Sequence, residues 1–394
     1  MKSESVVIVA AKRTPIGSFG GSLAGFTAPE LGAAVIFETL KSAGVSAEEV
    51  QEVVLGNVLS AGIGQAPARQ AALKAGLLNT TPATTINKVC ASGMKAVMIA
   101  SDQIRLGESD VMIAGGMESM SNVPYYLAKE RFGAKLGHTQ AEDGILKDGL
   151  WDVYNDCHMG NAGELCSREY SISREEQDAF AMESYRRAIK ARDEGLFADE
   201  ITPIKVRDRH GEGTKIDRDE ELDRVNFDKI PILKPVFDND GTITAANASS
   251  LNDGAATLLL MSESKASSAG LKPLARILSY ASAAKAPEWF TTAPADAIPK
   301  ALKRAGLHID DMDLFEINEA FSVVSLINNR LLNLDPQKVD INGGAVSLGH
   351  PIGCSGARIL VTLVHALRQR KLRYGCAGIC NGGGGASALV LEAL

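Results

Sequence analysis

The sequence predicts an α/β fold built on a duplicated unit, and three observations carry that prediction. Short apolar runs (Val53-Val54-Leu55, Val111-Met112-Ile113, Leu258-Leu259-Leu260, Leu314-Phe315-Glu316-Ile317) alternate with longer helical patterns over 30–41, 91–105, 296–304 and 357–367. Such alternation marks largely buried strands joined by helices. Three segments also recur in the same order: Leu40-Lys41-Ser42-Ala43-Gly44 as Leu302-Lys303-Arg304-Ala305-Gly306 at an offset of 262, Ala91-Ser92-Gly93 as Cys354-Ser355-Gly356 at 263, and Ala114-Gly115-Gly116 as Cys380-Asn381-Gly382. Finally, roughly 120–250 differs in texture, being rich in charge, Tyr and Gly and broken by loops. A unit of about 120 residues, duplicated around a central insertion, accounts for all three; chance similarity among Ala/Gly-rich segments is the alternative.

Taken in order, Val6-Val7-Ile8-Val9 reads as a buried strand, so close to the start that neither a signal nor a transit peptide is expected. Each copy of the Leu-Lys-x-Ala-Gly segment is followed by an acidic turn and a strand. Ser173-Arg174-Glu175-Glu176 is a capping box opening a long amphipathic helix that stops at Gly195. The mixed-charge run from Lys205 to Lys215, with Gly211 and Gly213, reads as a solvated loop.

Composition excludes several classes. The chain has 394 residues, enough for two to three domains, with 41 Lys+Arg against 48 Asp+Glu for a net charge of −7 and no basic tract. Nonspecific binding to nucleic acid or acidic membrane is therefore not expected. No run of about 20 apolar residues offers a membrane span. Six Cys without Cys-x-x-Cys spacing suggest neither a disulfide scaffold nor structural zinc, so a reducing, cytoplasmic setting is expected. Gly, at 38 residues, exceeds its usual share of ~7% and clusters near 115, 343–356 and 382–385.

Four segments can carry chemistry. Cys90, in Asn87-Lys88-Val89-Cys90-Ala91-Ser92-Gly93-Met94, lies between a short strand and a helix of about four turns. A helix N-terminus stabilises a thiolate and lowers its pKa, as a nucleophile requires; a small buried apolar residue is the alternative. His350, in Gly349-His350-Pro351-Ile352-Gly353-Cys354-Ser355-Gly356, immediately precedes a helix of the second repeat, so that Cys90 and His350 occupy near-equivalent helix starts. Cys380-Asn381-Gly382-Gly383-Gly384-Gly385 is a strand end running into glycines, which permits close approach of backbone N–H groups to a ligand. It lacks the Lys-Ser/Thr of a phosphate loop and reads better as an oxyanion hole. Asn318-Glu319-Ala320-Phe321 is a strand-to-helix corner where Asn318 could hold a water or cap the helix.

Together these motifs resemble the thiolase family over essentially the whole chain. The resemblance implies two βαβαβαββ halves in a five-layer αβαβα arrangement with an inserted loop domain: 1–120 plus 251–271 as the first half, 121–250 as the loop domain, 272–394 as the second half. It implies Cys90 as the acylated nucleophile, His350 as its base and Cys380 as the acid/base for the second substrate's α-proton. One oxyanion hole would comprise His350 and a water on Asn318, the other the N–H groups of Cys90 and Gly382. Two oxyanions develop at different positions in acyl transfer and Claisen condensation, so two donor pairs are needed.

Within the family, His158-Met159-Gly160 resembles the short-chain acetoacetyl-CoA type, in which the imidazole narrows the acyl pocket; an ordinary surface His is the alternative. Leu150, Phe237, Ser249, Leu251, Ala320 and Phe321 match positions lining the pantetheine tunnel. Asp223-Arg224-Val225-Asn226-Phe227-Asp228-Lys229 resembles the mitochondrial-type subgroup, whose matching Arg and Lys reach the CoA nucleotide. Tyr185 and the backbone of Ala245, Ala246, Ala248 and Val346 match that subgroup's potassium site. Gly163-Glu164-Leu165 and Trp289-Phe290-Thr291-Thr292 depart from the usual pattern, which bears on acyl-chain preference.

The resemblance thus implies an acetyl-CoA C-acetyltransferase interconverting two acetyl-CoA with acetoacetyl-CoA plus CoA through acetyl-Cys90. No cofactor is needed for that chemistry beyond the coenzyme A of the substrates. A tetramer assembled through the loop around 123–139 is also implied. The alternatives are a broader-chain 3-ketoacyl-CoA thiolase of fatty-acid breakdown and a lipid-carrier-like binding module, the latter expected to have lost Cys90, His350 or Cys380. On this reading much of the glycine excess brings backbone N–H groups to thioester oxygens, and two of the six cysteines must stay reduced.

Overall fold

The structure, a computed structural model, describes residues 4–207 and 213–394. The first half contains β1 (Val6–Arg13), α1 (Ala28–Ala43), β2 (Glu52–Gly56), α2 (Pro67–Lys74), β3 (Ala83–Ile86), α3 (Ser92–Leu106) and β4 (Val111–Ser119). The insertion follows, with α4 (Met159–Glu169) and α5 (Arg174–Asp193), and β5 (Asn252–Ser262) then completes the first half. The second half contains β6 (Ala275–Ala284), α6 (Pro294–Ala305), β7 (Leu314–Ile317), α7 (Ser322–Leu332), α8 (Ile352–Gln369), β8 (Tyr374–Asn381) and β9 (Gly385–Ala393).

The strands pair in the order β7-β8-β9-β6-β1-β5-β4-β2-β3. β1 and β6 join the halves antiparallel, through Val6 opposite Ile277 and Ile8 opposite Ala275. Outward from that junction, β1-β5-β4-β2 on one side mirrors β6-β9-β8-β7 on the other, so equivalent strands occupy equivalent places. The duplication read from three short segments is therefore a duplication of topology. One strand differs: β3 has only a single-residue bridge, Phe315 to Val339, as its counterpart. There Ile317 N–H donates to the Asp340 side chain at 2.9 Å, so a carboxylate replaces the next rung of the ladder.

Apolar periodicity sets the layers. α1 and α2 cover the outer face of the first half with Leu31, Val35, Ile36, Ala68 and Ala72. α6 covers the outer face of the second with Ala297, Ile298, Ala301 and Leu302. α3 and α8 lie between the halves and share one core with both sets of strands. α8 is buried almost all round, as a helix enclosed on both sides must be. Truncating Leu360 at its centre to Ala would cost roughly 2–5 kcal/mol.

The two central helices touch at equivalent glycines. A Cβ on Gly93 would lie 2.7 Å from Ala357 N, and one on Gly356 would lie 2.5 Å from Met94 N. Backbone meets backbone there, and only glycine leaves the room.

The capping box is present: Ser173 Oγ accepts from Glu176 N–H, and Glu176 returns a bond to Ser173 N–H at 2.8 Å. Of the Lys205–Lys215 run, Lys205, Gly213, Thr214 and Lys215 are exposed, but the run is not simply a loop. Ile204–Arg207 and Gly213–Ile216 pair antiparallel with Lys205 opposite Lys215. Gly211 lies outside the described residues. Among the described residues no helix is long and apolar enough to cross a membrane.

Candidate active site

Cys90 sits on a tight connection between β3 and α3. Val89 has φ +49°, a conformation a β-branched residue rarely adopts. It is held by Asn87 Oδ1, which accepts from Val89 N–H at 2.9 Å, and by Ser92 Oγ, which donates to Val89 O at 2.6 Å. The turn thereby presents Cys90 to a cavity while the surrounding protein encloses its sulfur. One expectation is corrected here. Enclosure pushes the thiol up to about 12, outweighing the N–H groups of Gly382 and Cys90 itself, which bond to the sulfur and favour its thiolate. Helix position alone does not activate this cysteine, so a base is needed.

His350, the base expected for it, lines the same cavity. Its backbone N–H donates to Asn252 Oδ1 at 2.8 Å. Its Nδ1 lies 2.6 Å from Ser355 Oγ, and that hydroxyl donates to Pro351 O at 3.0 Å. With its only proton committed, Ser355 must accept from Nδ1–H, which leaves Nε2 with a free lone pair. Nε2 is buried and has no partner among the described residues. Burial, aided by the charge of Arg358, lowers the imidazole to about 3, so the ring is neutral.

Cys380, at the end of β8, is buried against Met159, Phe290, Ala320 and Phe321. Burial and the neighbouring Cys90 push its thiol well above the ordinary value. A Cβ on Gly382 would meet Val89 Cγ1 at 3.5 Å and Met159 Sδ at 3.8 Å, ordinary van der Waals contact, beside the sulfur its N–H contacts. Asn318 does not cap α7, whose N-cap is Phe321. Its side-chain amide is buried, and neither Oδ1 nor Nδ2 has a partner among the described residues. That is the condition under which a bound water is expected.

The cavity above Cys90 has a volume of about 410 Å³ and is lined by Cys90, His350, Gly382 and the expected Leu150, His158, Met159, Phe237, Ser249, Leu251, Ala320 and Phe321. Ala245 and Ala248 also line it, whereas Cys380, Asn318, Tyr185, Arg224, Lys229, Ala246 and Val346 do not. Arg224 and Lys229 are exposed, and Tyr185 packs edge-on to Phe227 in the same apolar cluster as Val346. His158 is not a free surface residue. Its Nδ1 accepts from Gly160 N–H at 3.0 Å, capping α4, and its ring stacks on Phe237 with centroids 4.5 Å apart.

Sequence reasoning missed Met120, Leu146, Val236 and Ile352 on the cavity wall, because apolar residues carry no chemical signature. It also missed Glu118, a buried carboxylate that accepts from Asn57, Val58, Leu59 and Gly353 and ties β4 to the start of α8. The departures at 163–165 and 289–292 have local causes. Glu164 accepts from Thr242 N–H and Ile243 N–H at 2.9 and 2.8 Å. A Cβ on Gly163 would lie 2.5 Å from Ile243 Cδ1. Phe290 reaches the cavity wall, and Trp289 stands edge-on to Tyr170. All six cysteines are free.

This geometry has close counterparts. The sequence matches the family described as "Thiolase, N-terminal domain" over residues 6–264 and "Thiolase, C-terminal domain" over 271–393. It is 57% identical to "Acetyl-CoA acetyltransferase 2" of Arabidopsis thaliana across 99% of this chain and 97% of that protein. The crystal structure of the acetyl-CoA acetyltransferase of Bacillus anthracis superimposes with a TM-score of 0.97 at 45% identity, covering 100% of both chains. The Acat5 thiolase of Ascaris suum, solved in complex with coenzyme A, gives 0.94 at 43% identity over 99% of this chain and 100% of that one. A duplicated five-layer fold, a half-buried cysteine that shares one cavity with a neutral histidine, and these matches over the full chain identify an acyltransferase that belongs to the thiolase family.

Proposed function

We propose that the protein is an acetyl-CoA C-acetyltransferase, converting two acetyl-CoA reversibly into acetoacetyl-CoA and CoA through acetyl-Cys90. The observation that carries this reading is the neutral His350 imidazole, fixed by Ser355 with Nε2 unpartnered, at a cavity it shares with Cys90 and Gly382. His350 Nε2 takes the Cys90 proton and the thiolate attacks the acetyl carbonyl carbon. The N–H groups of Cys90 and Gly382 receive the developing oxyanion. Collapse expels CoA thiolate, which takes the proton of Cys380.

Cys380 thiolate then removes an α-proton from the second acetyl-CoA. The imidazolium Nε2–H, with a water on Asn318, holds the enolate oxygen while its carbon attacks acetyl-Cys90. Cys90 leaves and recovers its proton from His350. Both thiols and the neutral imidazole are restored, so the cycle balances without an outside acid or base. The raised pKa of Cys380 suits a group that rests as thiol and acts first as acid.

Coenzyme A would approach over Arg224 and Lys229, whose exposure leaves them available to its phosphates. Potassium belongs to the same reading. Tyr185 and the carbonyl groups of Ala245, Ala246, Ala248 and Val346 are hard oxygen donors suited to such an ion, and Tyr185 and Val346 already share one cluster. Bound there, it would brace the segment leading to His350. The exposed Tyr125, Leu127, Phe132 and Leu136 support assembly through the 123–139 loop. Two free catalytic thiols call for a reducing compartment, in keeping with a cytoplasmic setting.

Radiolabelled acetyl-CoA tests the mechanism. Cys90→Ser should take up no label, whereas Cys380→Ser should be labelled yet form no acetoacetyl-CoA; label on the Cys90 variant would refute the assignment. Thiolysis should favour the C4 over the C10 3-ketoacyl-CoA, and the reverse preference would indicate a broader-chain thiolase.

A further inference from the structure

Asn318 is followed by Glu319, a fully buried carboxylate that neither half-reaction uses. Its Oε2 accepts from Ser184 Oγ at 2.7 Å and from Val346 N–H at 3.0 Å. Ser184 lies on α5 of the insertion, and Val346 lies on the segment leading to His350. Ser184 Oγ also accepts from Gly344 N–H at 3.2 Å and stands 2.9 Å from Ser347 Oγ. Three separate parts of the chain therefore meet at one side chain: the Asn318 corner, the inserted helix and the His350 segment. The fit is close, since a Cβ on Gly344 would lie 2.4 Å from Glu319 Cδ.

A buried carboxylate is costly unless it is well bonded, and burial raises the pKa of Glu319 against the opposing effect of Ser184 and Val346. Arg358 and Arg187 favour its charged form, whereas Glu316 and Asp340 are like-charged neighbours within the same buried group. A cleft of about 560 Å³ between α5 and α7 ends on Glu319 and Ser184 and shares no lining residue with the cavity of Cys90. This carboxylate thus lies behind the catalytic segment and not in the substrate's path.

We propose that Glu319 is a positioning residue, clamping the His350 segment and the Asn318 corner to the inserted helix so that imidazole and thiol stay aligned. The proposal rests on the thiolase reading of Cys90 and His350. Its test compares the wild type with Glu319→Ala, Glu319→Gln and Ser184→Ala, each normalised to the content of titratable Cys90 and checked for cooperative melting. Alkylation of Cys90 by iodoacetamide in the free enzyme and steady-state thiolysis of acetoacetyl-CoA are both measured.

Glu319→Ala should lower the alkylation rate and kcat together by at least tenfold, with KM within twofold. Glu319→Gln, which keeps one acceptor oxygen, should recover part of both. Should Glu319→Ala fail to fold, Ser184→Ala carries the test, with a severalfold fall in the same two rates. Rates within twofold of wild type, or a loss seen only in KM, would overturn the clamp. A wild type that alkylates at Cys90 but takes no acetyl group from acetyl-CoA would instead sink the functional reading, leaving the alkylation comparison to decide the clamp.

Discussion

His350 Nδ1 and Ser355 Oγ stand 2.6 Å apart across the start of α8, and the Ser355 hydroxyl donates its own hydrogen bond to Pro351 O. That pair selects the tautomer that leaves the Nε2 lone pair free, as the proposed proton transfer from Cys90 requires. Ser355→Ala should leave the imidazole free to rotate and exchange tautomers. General-base catalysis is worth roughly 10²–10⁴-fold, and losing its alignment should forfeit about ten- to a hundredfold of it. Steady-state thiolysis should show this in kcat, with Ser355→Thr largely restored; an unchanged kcat would remove Ser355 from the account.

The same histidine makes stability depend on pH. Its pKa is lowered by burial from 6.5 to about 3, so below pH 6.5 the unfolded chain binds a proton that the folded chain resists. Stability from this group is present above pH 6.5 and is lost progressively as pH falls toward 3. At pH 5 the loss is about 2 kcal/mol. Urea unfolding at pH 7.5 and pH 5 should show a smaller acid loss in His350→Gln than in the wild type.

Alkylation of Cys90 should follow its enclosure. With the thiol pushed up to about 12, the thiolate fraction grows about tenfold per pH unit. Iodoacetamide rates should therefore climb without a plateau below pH 9. A plateau near pH 7 would mean that the two N–H groups outweigh burial.

The glycines divide into two sets by what surrounds them. Gly356→Ala forces a Cβ to within 2.5 Å of Met94 N and should destabilise by about 1–3 kcal/mol in denaturant unfolding. Gly382→Ala would make only an ordinary contact, with Val89 Cγ1 at 3.5 Å, and should leave stability within about 0.5 kcal/mol while disturbing turnover.

His158→Ala should do two things at once. Loss of the cap on α4 should cost about 1 kcal/mol. Removing the ring from beside Phe237 enlarges the cavity, so the kcat/KM ratio for C6 over C4 3-ketoacyl-CoA should rise; a fixed ratio would take His158 out of chain selection.

Much of this molecule was legible in the sequence because its signals are local. Buried strands, helix starts and the Cys90, His350 and Cys380 motifs are each a few residues long. The partners of those motifs were not legible, because they lie far away along the chain: Asn252 holds His350, and Glu118 holds Gly353. The Cys90 pKa was misjudged for the same reason, since a helix start can be read from the sequence whereas enclosure by the opposite half cannot. The glycine excess was only partly understood. Gly115 and Gly116 face the carbonyl oxygens of Ala256 and Gly353, where a Cβ would lie at 2.1 Å in each case. Gly115 lets β4 pack on β5 within the first half and Gly116 lets the halves meet at the start of α8; neither faces a substrate oxygen.

The crossing of α3 and α8 sets the tolerance of the catalytic assembly. Gly93 lies three residues beyond Cys90, and Gly356 directly follows the serine that orients His350. Nucleophile and base are thus referenced to one backbone joint, not to the accumulated play of separate loops.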